Sequence, residues 1–246
     1  VSWAGQFLFG RGWAVFRGQS ADNSLHAHAT VQLMLAGEGD IRIAGDDGRT
    51  VAGGALLVRP GVRHALAATP RATLIQLEPQ TALARLALDA SGPAPIGLLA
   101  PVLAEAIDAE ASLDKVLDGL RALALEAEAV LDPRLASALA FLAEVPAGDA
   151  VARAASGAGL SVSRLRALAQ AQLGVSLSTW LMWRKLERAG QALADGAPLA
   201  QAALAGDFAD QAHFSRTMRR AFGITPRTAG AVVDRTQAKG SRPGRG

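Results

Sequence analysis

Three of the four histidines in this 246-residue sequence fall within its first 64 residues, as His26, His28 and His64. His26 and His28 are two apart, so on an extended strand both imidazoles leave the same face. Gln32, four further on, joins them there if the strand continues without a bulge. His64 ends the stretch GGALLVRPGVRH (53–64), in which a strand, a turn at Pro60-Gly61 and an imidazole follow in order. Three neutral imidazoles could hold a divalent ion of zinc, iron, nickel, copper or manganese. They could equally line a cavity that hydrogen-bonds a small effector, or form a purely structural cluster. All three readings stay open at this level. The absence of cysteine excludes disulfides, thiolate metal sites and cysteine nucleophiles, and suits a reducing cytoplasm.

A second group of polar residues lies on C-terminal helices. Ser161 is a good N-cap for a helix that buries Leu165, Leu168 and Ala169, and a helix from Asp210 to Phe222 buries Phe214, Met218 and Phe222. With those stripes turned inward, helical geometry leaves Ser163, Arg166 and Ala167 outward on the first helix. On the second it leaves Gln211, Ala212, Ser215 and Arg216. Arginine can make two hydrogen bonds to guanine and glutamine two to adenine, so Arg166, Gln211 and Arg216 are candidates to read bases in double-stranded DNA. Arg219 and Arg220 are candidates for phosphate, which positions without specifying. Trp180 and Trp183, on the helix between these two, read as core.

Charge supports a polyanion partner for this region. Residues 1–148 carry 11 Lys+Arg against 16 Asp+Glu, whereas residues 149–246 carry 14 against 6. Clustered basic charge is the footprint of phosphate neutralisation. No run of eighteen apolar residues appears, so no membrane span is expected. The first ten residues lack a basic segment followed by an apolar core, so no secretory signal is expected either.

The elements that must position these residues are of two kinds. Over residues 1–80, short apolar runs (Gln32–Leu35, Ile41–Ile43, Ala55–Val58 and Ala72–Leu77) alternate with Gly, Asp and Pro turns, and Gly45-Asp46-Asp47-Gly48 reads as a hairpin tip. That grammar predicts an antiparallel sandwich or barrel. After Thr81 and a Ser91–Pro95 linker the apolar period becomes helical, with Leu113, Val116, Leu117, Leu120 and Leu123 on one stripe that requires a partner, either a second copy of the chain or its own barrel. Asp132-Pro133 opens a further helix as N-cap and first residue. Two pairs, Ala155/Gly159 and Ala203/Asp207, place a small residue and a turn residue four apart, as closely crossing helices need.

The C-terminal stretch GLSVSRLRALAQAQLGVSLSTWLMWRKLERAGQAL, followed by AALAGDFADQAHFSRTMRRAFGITP, resembles the DNA-binding domain of the AraC family of transcription regulators. In that family two helix-turn-helix units are joined by one helix. Phe208, Asp210, Phe214, Ser215, Arg216, Phe222, Gly223, Thr225 and Pro226 carry the more specific half of the likeness. Asp207 stands where the family usually has glycine, a left-handed position whose strain Gly206 is expected to absorb. Ala167, Ala169 and Gln170 depart from the family's pattern, so the first recognition helix is expected to bind weakly. The N-terminal stretches resemble the two cupin motifs, with His26, His28 and His64 at the metal-ligand histidines, Gln32 at the usual glutamate, Gly39 at a closing glycine and Arg59 in place of a proline. AraC-type regulators commonly carry such a sensor.

The resulting expectation is an α+β chain. A cupin-like antiparallel barrel (1–90) senses a small effector or metal, a helical linker (91–131) offers a homodimer contact, two helix-turn-helix units (132–233) bind DNA, and a disordered tail follows (234–246). A metal-dependent cupin enzyme with a helical appendage is the rival class.

Overall fold

The computed structural model describes residues 3–107, 112–126, 131–145 and 149–226. The tail expected at 234–246 lies outside the described residues.

The chain opens with a hairpin of β1 (Ala4–Gly10) and β2 (Trp13–Ser20), turning at Arg11-Gly12. Then follow β3 (Val31–Ala36), β4 (Ile41–Gly45), β5 (Thr50–Gly53), β6 (Ala55–Val58), β7 (His64–Leu66) and β8 (Thr69–Leu77). The hairpin expected at Gly45–Gly48 joins β4 to β5. Next comes α1 (Ala82–Ala90), whose N-cap Thr81 accepts from the Ala84 amide. After the Ser91–Pro95 segment the chain returns to the sheet as β9 (Ile96–Leu98), paired with β6. A strand of three residues between turn signals carries too little periodicity to be seen in the sequence.

Two antiparallel sheets result, one of six strands in the order β1-β2-β8-β3-β6-β9 and one of three in the order β5-β4-β7. Strand alternation gives the large sheet two apolar faces. One face, with Phe16, Met34, Leu56 and Leu74, packs on Ile41, Ile43 and Leu66 of the small sheet. The other, with Val15, Leu33, Leu57 and Ile75, packs on α1, α2 (Pro101–Ile107) and α3 (Leu113–Glu126). The stripe of α3 therefore finds its partner within the chain: Val116, Leu117 and Leu120 are buried against the sheet, with Leu113 and Leu123 packed beside them. Burial within the chain occupies Val116, Leu117 and Leu120 of the stripe expected to offer a homodimer contact.

The C-terminal half is helical: α4 (Pro133–Glu144), α5 (Ala150–Gly157), α6 (Val162–Leu173), α7 (Leu177–Ala194), α8 (Leu199–Ala205) and α9 (Gln211–Phe222). Asp132, Ser161 and Asp210 cap α4, α6 and α9 through their side chains. Gly174 and Gly223 end α6 and α9 in the left-handed conformation. In the second helix-turn-helix Asp207 itself takes the left-handed conformation, at φ 57, while Gly206 stays at an ordinary φ of −80. Lys185 on α7 supports Asp207, bonding its carbonyl at 2.9 Å and its carboxylate at 2.7 Å. The strain is thus held by an ion pair and not absorbed by the neighbouring glycine.

The two halves are docked along α7. Gly190 admits the Phe9 ring of β1 so closely that an added Cβ would stand 2.5 Å from it. Trp183 and Arg184 both donate to Glu78 Oε1, at 3.1 and 2.9 Å, and Arg184 also binds Glu187, whose other oxygen accepts from the Gly12 amide at 3.0 Å. Trp180 donates to Gln80 at 3.2 Å. The two tryptophans are buried, as expected of core residues, and their indole N–H groups in addition clamp the domains together.

Candidate ligand site and DNA-binding surface

The histidines converge. His26 and His64 face each other in an antiparallel bridge with main-chain bonds of 3.0 and 2.9 Å in the two directions. Their ring centroids are 4.4 Å apart, and the His28 ring lies 5.1 Å from that of His64. Gln32 enters from β3, where it is paired with Val58 and Gln76 across the sheet. One nitrogen from each of the three imidazoles can be chosen so that all lie within 4.8 Å of one another.

The hydrogen bonds select the tautomer. Each Nδ1 meets a main-chain carbonyl: Ser24 O for His26 at 3.0 Å, Thr30 O for His28 at 3.1 Å and Val62 O for His64 at 3.0 Å. A carbonyl only accepts, so Nδ1 carries the proton and Nε2 presents a lone pair. Gln32 Oε1 lies 3.0 Å from Nε2 of both His28 and His64. An acceptor cannot satisfy two acceptors. The cluster is completed either by the amide turned so that its NH2 donates to both rings, or by a cation among them.

Burial removes the third solution, a protonated ring. Burial, and then the neighbouring His64, push His26 down to about 4. Burial, followed by His64 and His26, holds His28 well below the ordinary imidazole range, and burial also lowers His64. All three are neutral at pH 7, the form in which imidazole ligates metal. Around the cluster Thr30 and Gln76 form a further buried polar pair, the Thr30 hydroxyl donating to Gln76 and lying 3.0 Å from His28 Nδ1. Sequence reasoning left both out; a glutamine at a buried position of a strand is the signal that could have found Gln76.

Free space beside the site is small. A cavity of about 30 Å³ is bounded by His26, Gln32 and Gln76 on one side, Phe16 on another, and Phe222 and Ile224 at the end of α9. A wider cleft of about 240 Å³ runs between the Ala27–Ala29 segment and α7 and α9, with Met182, Trp183, Thr217 and Arg220 among its walls. Arg59, which replaces the cupin proline, donates to the carbonyls of Leu88 and Gly92 and so fastens the end of α1. Gly39 is left-handed at φ +69, as a closing turn needs.

On the helical half, Ser163, Arg166, Gln211, Arg216 and Arg219 lie on the exposed faces of α6 and α9, and Ser215 is half-buried. The Ser163 hydroxyl is engaged with the cap residue Ser161 at 3.0 Å. His213 turns its ring edge-on to Phe208, at 5.3 Å, and so covers the core of the second unit. The small residues expected to permit close crossing, Ala155 and Ala203, are each 1% exposed. Across both units most apolar residues face in and the basic and amide residues of α6 and α9 face out, while Leu204 of α8 is 69% exposed.

Two helix-turn-helix units bridged by one helix, docked on a double-sheet domain with a buried polar centre, define a DNA-binding regulator joined to a ligand-binding domain. Residues 14–143, more than half of the chain, match the AraC-like ligand-binding domain, and residues 154–230 match a helix-turn-helix domain. The chain belongs to the AraC family of transcription regulators, with an N-terminal sensor domain. No curated protein matches it. Among solved structures it is similar to an apo ToxT variant from Vibrio cholerae strain SCE256 (TM-score 0.60, 11% identity, 92% of this chain and 99% of that one). It is also similar to wild-type ToxT from the same strain bound to an unsaturated fatty acid (TM-score 0.60, 8% identity, 92% and 97%). A shorter match is the AraC-type regulator from Chromobacterium violaceum (TM-score 0.38, 32% identity, 43% and 94%). Among the described residues no helix is long and apolar enough to cross a membrane.

Proposed function

We propose that this regulator, acting in the cytoplasm, reads a divalent transition-metal ion held by His26, His28 and His64, with Gln32 or water completing the shell. The observation that carries this reading is the set of three buried, neutral imidazoles whose Nδ1 protons are tied to carbonyls, leaving each Nε2 a free lone pair, with one nitrogen of each ring within 4.8 Å of the others. Tetrahedral donors to one ion at about 2.0–2.1 Å lie about 3.4 Å apart, so nitrogens that now lie within 4.8 Å of one another draw together as the ion enters. Imidazole suits zinc, nickel, copper and iron, and the ligands add no negative charge to offset the ion's own. The cavity of about 30 Å³ beside His26 and Gln32 admits a water, whereas organic ligands occupy about 300 Å³ or more. His28 also borders the 240 Å³ cleft, so what favours a sensory ion over a metal-dependent enzyme is the joined helix-turn-helix half. The ion thus serves as signal and not as catalyst.

One observation favours a second reading. The 240 Å³ cleft between the Ala27–Ala29 segment and α7 and α9 has an apolar wall and Arg220 at its side. It suits a small amphipathic carboxylate, and a ToxT structure holds an unsaturated fatty acid.

The test is to strip the full chain with chelator and titrate it with Co2+, whose visible spectrum reports coordination. One ion per chain is expected, lost in His28→Ala and His64→Ala, while effector-independent DNA binding persists. A featureless titration, with a carboxylate instead altering DNA binding, would transfer the sensing role to the cleft.

A further inference from the structure

The last carbonyls of a helix have no partner within it. At α9 two of them are served from the other domain: Asn23 Nδ2 donates to Phe222 O at 3.3 Å, and Ser24 Oγ to Gly223 O at 3.4 Å. Phe222 and Ile224 then close the small cavity beside His26 and Gln32. The seat admits no side chain at Gly223, where an added Cβ would stand 2.8 Å from Ser24 O and 2.9 Å from Asn23 Cβ.

The residues that form this seat are bound to the same two chain segments as the imidazoles. Asn23 exchanges bonds with Leu66, its amide donating to Leu66 O at 3.1 Å and its Oδ1 accepting from Leu66 N at 2.7 Å. Three residues on, His26 pairs with His64, two residues before Leu66, in an isolated antiparallel bridge. Ser24, whose hydroxyl holds Gly223, also holds the His26 ring through its carbonyl. Residues 21–30 contain no strand or helix beyond that bridge; Asp22 on the Ala68 amide, the His28 carbonyl on the Gly61 amide and Thr30 on Gln76 anchor the two ends of the segment, and the stretch from Asn23 to His26 between them is held by Leu66, by His64 and by the end of α9.

We infer that metal occupancy of His26, His28 and His64 and the seating of the second recognition helix on Asn23 and Ser24 are one coupled equilibrium, each strengthening the other. The inference rests on the metal reading above. An ion that joins His26 and His28 to His64 removes conformational freedom from the 21–30 segment, so α9 meets a seat already ordered and the cost of docking falls. Coupling is reciprocal, so a chain that cannot seat α9 must bind metal more weakly. The sensor domain thereby supplies the C-cap of a DNA-reading helix.

Gly223→Ala unseats α9 without altering the sensor domain. Gly174→Ala is its control: it ends the other recognition helix with a similar left-handed φ, 75 against 71, but its Cβ would meet only Pro60 Cβ at 3.8 Å. With Zn2+ titrated into the full chain, Gly223→Ala is expected to bind about tenfold more weakly, within the usual range of coupling. Zn2+ should also slow amide exchange at Arg219–Gly223 in the wild type and the control, and not in Gly223→Ala. Ser24→Ala, a milder change at an exposed hydroxyl, should lie between. Wild-type Zn2+ affinity in a folded Gly223→Ala, or an equal loss in both glycine variants, overturns the coupling. A wild-type chain that takes up no Zn2+ ends the metal reading, and the coupling with it.

Discussion

Arg216 and Gln211 stand exposed on α9, while Arg219 lies one turn beyond Arg216 towards the capped end. Their chemistry separates two roles. Arg216→Ala and Gln211→Ala should each relax base preference by about 1 to 3 kcal/mol while nonspecific affinity changes less. Equal loss on all duplexes, in binding to a selected site and to random DNA, would make both phosphate contacts. Arg219→Ala should weaken every duplex alike and reduce the salt slope by about one; an unchanged slope would place it off the DNA. Outward placement of these side chains was legible in the sequence, because a helix with a known buried stripe leaves its other face no alternative. The engagement of Ser163 with Ser161 was not, since a hydroxyl has several partners within reach of one turn.

At the scale of elements, α7 is the beam on which the chain is assembled. Two carboxylates, Glu78 and Glu187, share the one guanidinium of Arg184, all three buried. Glu78→Ala strands the Trp183 indole as well as one side of Arg184, and should cost about 3 kcal/mol in urea unfolding, near the low end for a broken buried pair because Glu187 remains. A loss under 1 kcal/mol would mean that water replaces Glu78 freely. Glu187 behaves differently. Burial, and then Glu78, raise its carboxyl above the ordinary range, against the Gly12 amide and Arg184, which lower it. The folded chain thus binds this proton more tightly than the unfolded one, and the group contributes stability at acid pH that is lost as pH rises through its folded value. Measured against Glu187→Gln, the wild type should gain stability as pH falls from neutral towards the ordinary carboxylate range. A difference that stays flat with pH would show that Glu187 ionises normally in the fold.

For the whole molecule, the helices that follow the strands belong to the sensor domain's core. Leu120 is 6% exposed beneath α3, so Leu120→Ala should cost about 2 to 4 kcal/mol by leaving a cavity, with sedimentation of the native fraction unchanged. A shift in association state without loss of stability would restore this stripe as a contact between copies. The docking along α7 and at the end of α9 joins sensor and reader through buried and part-buried hydrogen bonds. Mild lesions at either contact should therefore lower the stability of both halves together, as one coincident transition followed by near-UV and far-UV signals.

What the sequence by itself determined was local. Asp132 and Ser161 as caps, the inner stripes of α6 and α9 and the shared face of His26, His28 and Gln32 follow from interactions within one turn or one strand. Their spacing is written in residue numbers, and so was the family likeness carried by them. Tertiary structure alone decided which faces meet. Glu78 reaches Arg184 across 106 residues and Asn23 reaches Phe222 across 199, and neither pair leaves a periodic trace. The stripe on α3 demanded a partner without saying which. The volume left beside the histidines, about 30 Å³, depends on how Phe16, Phe222 and Ile224 pack together from distant elements, and packing of that kind is set only when the elements close on one another.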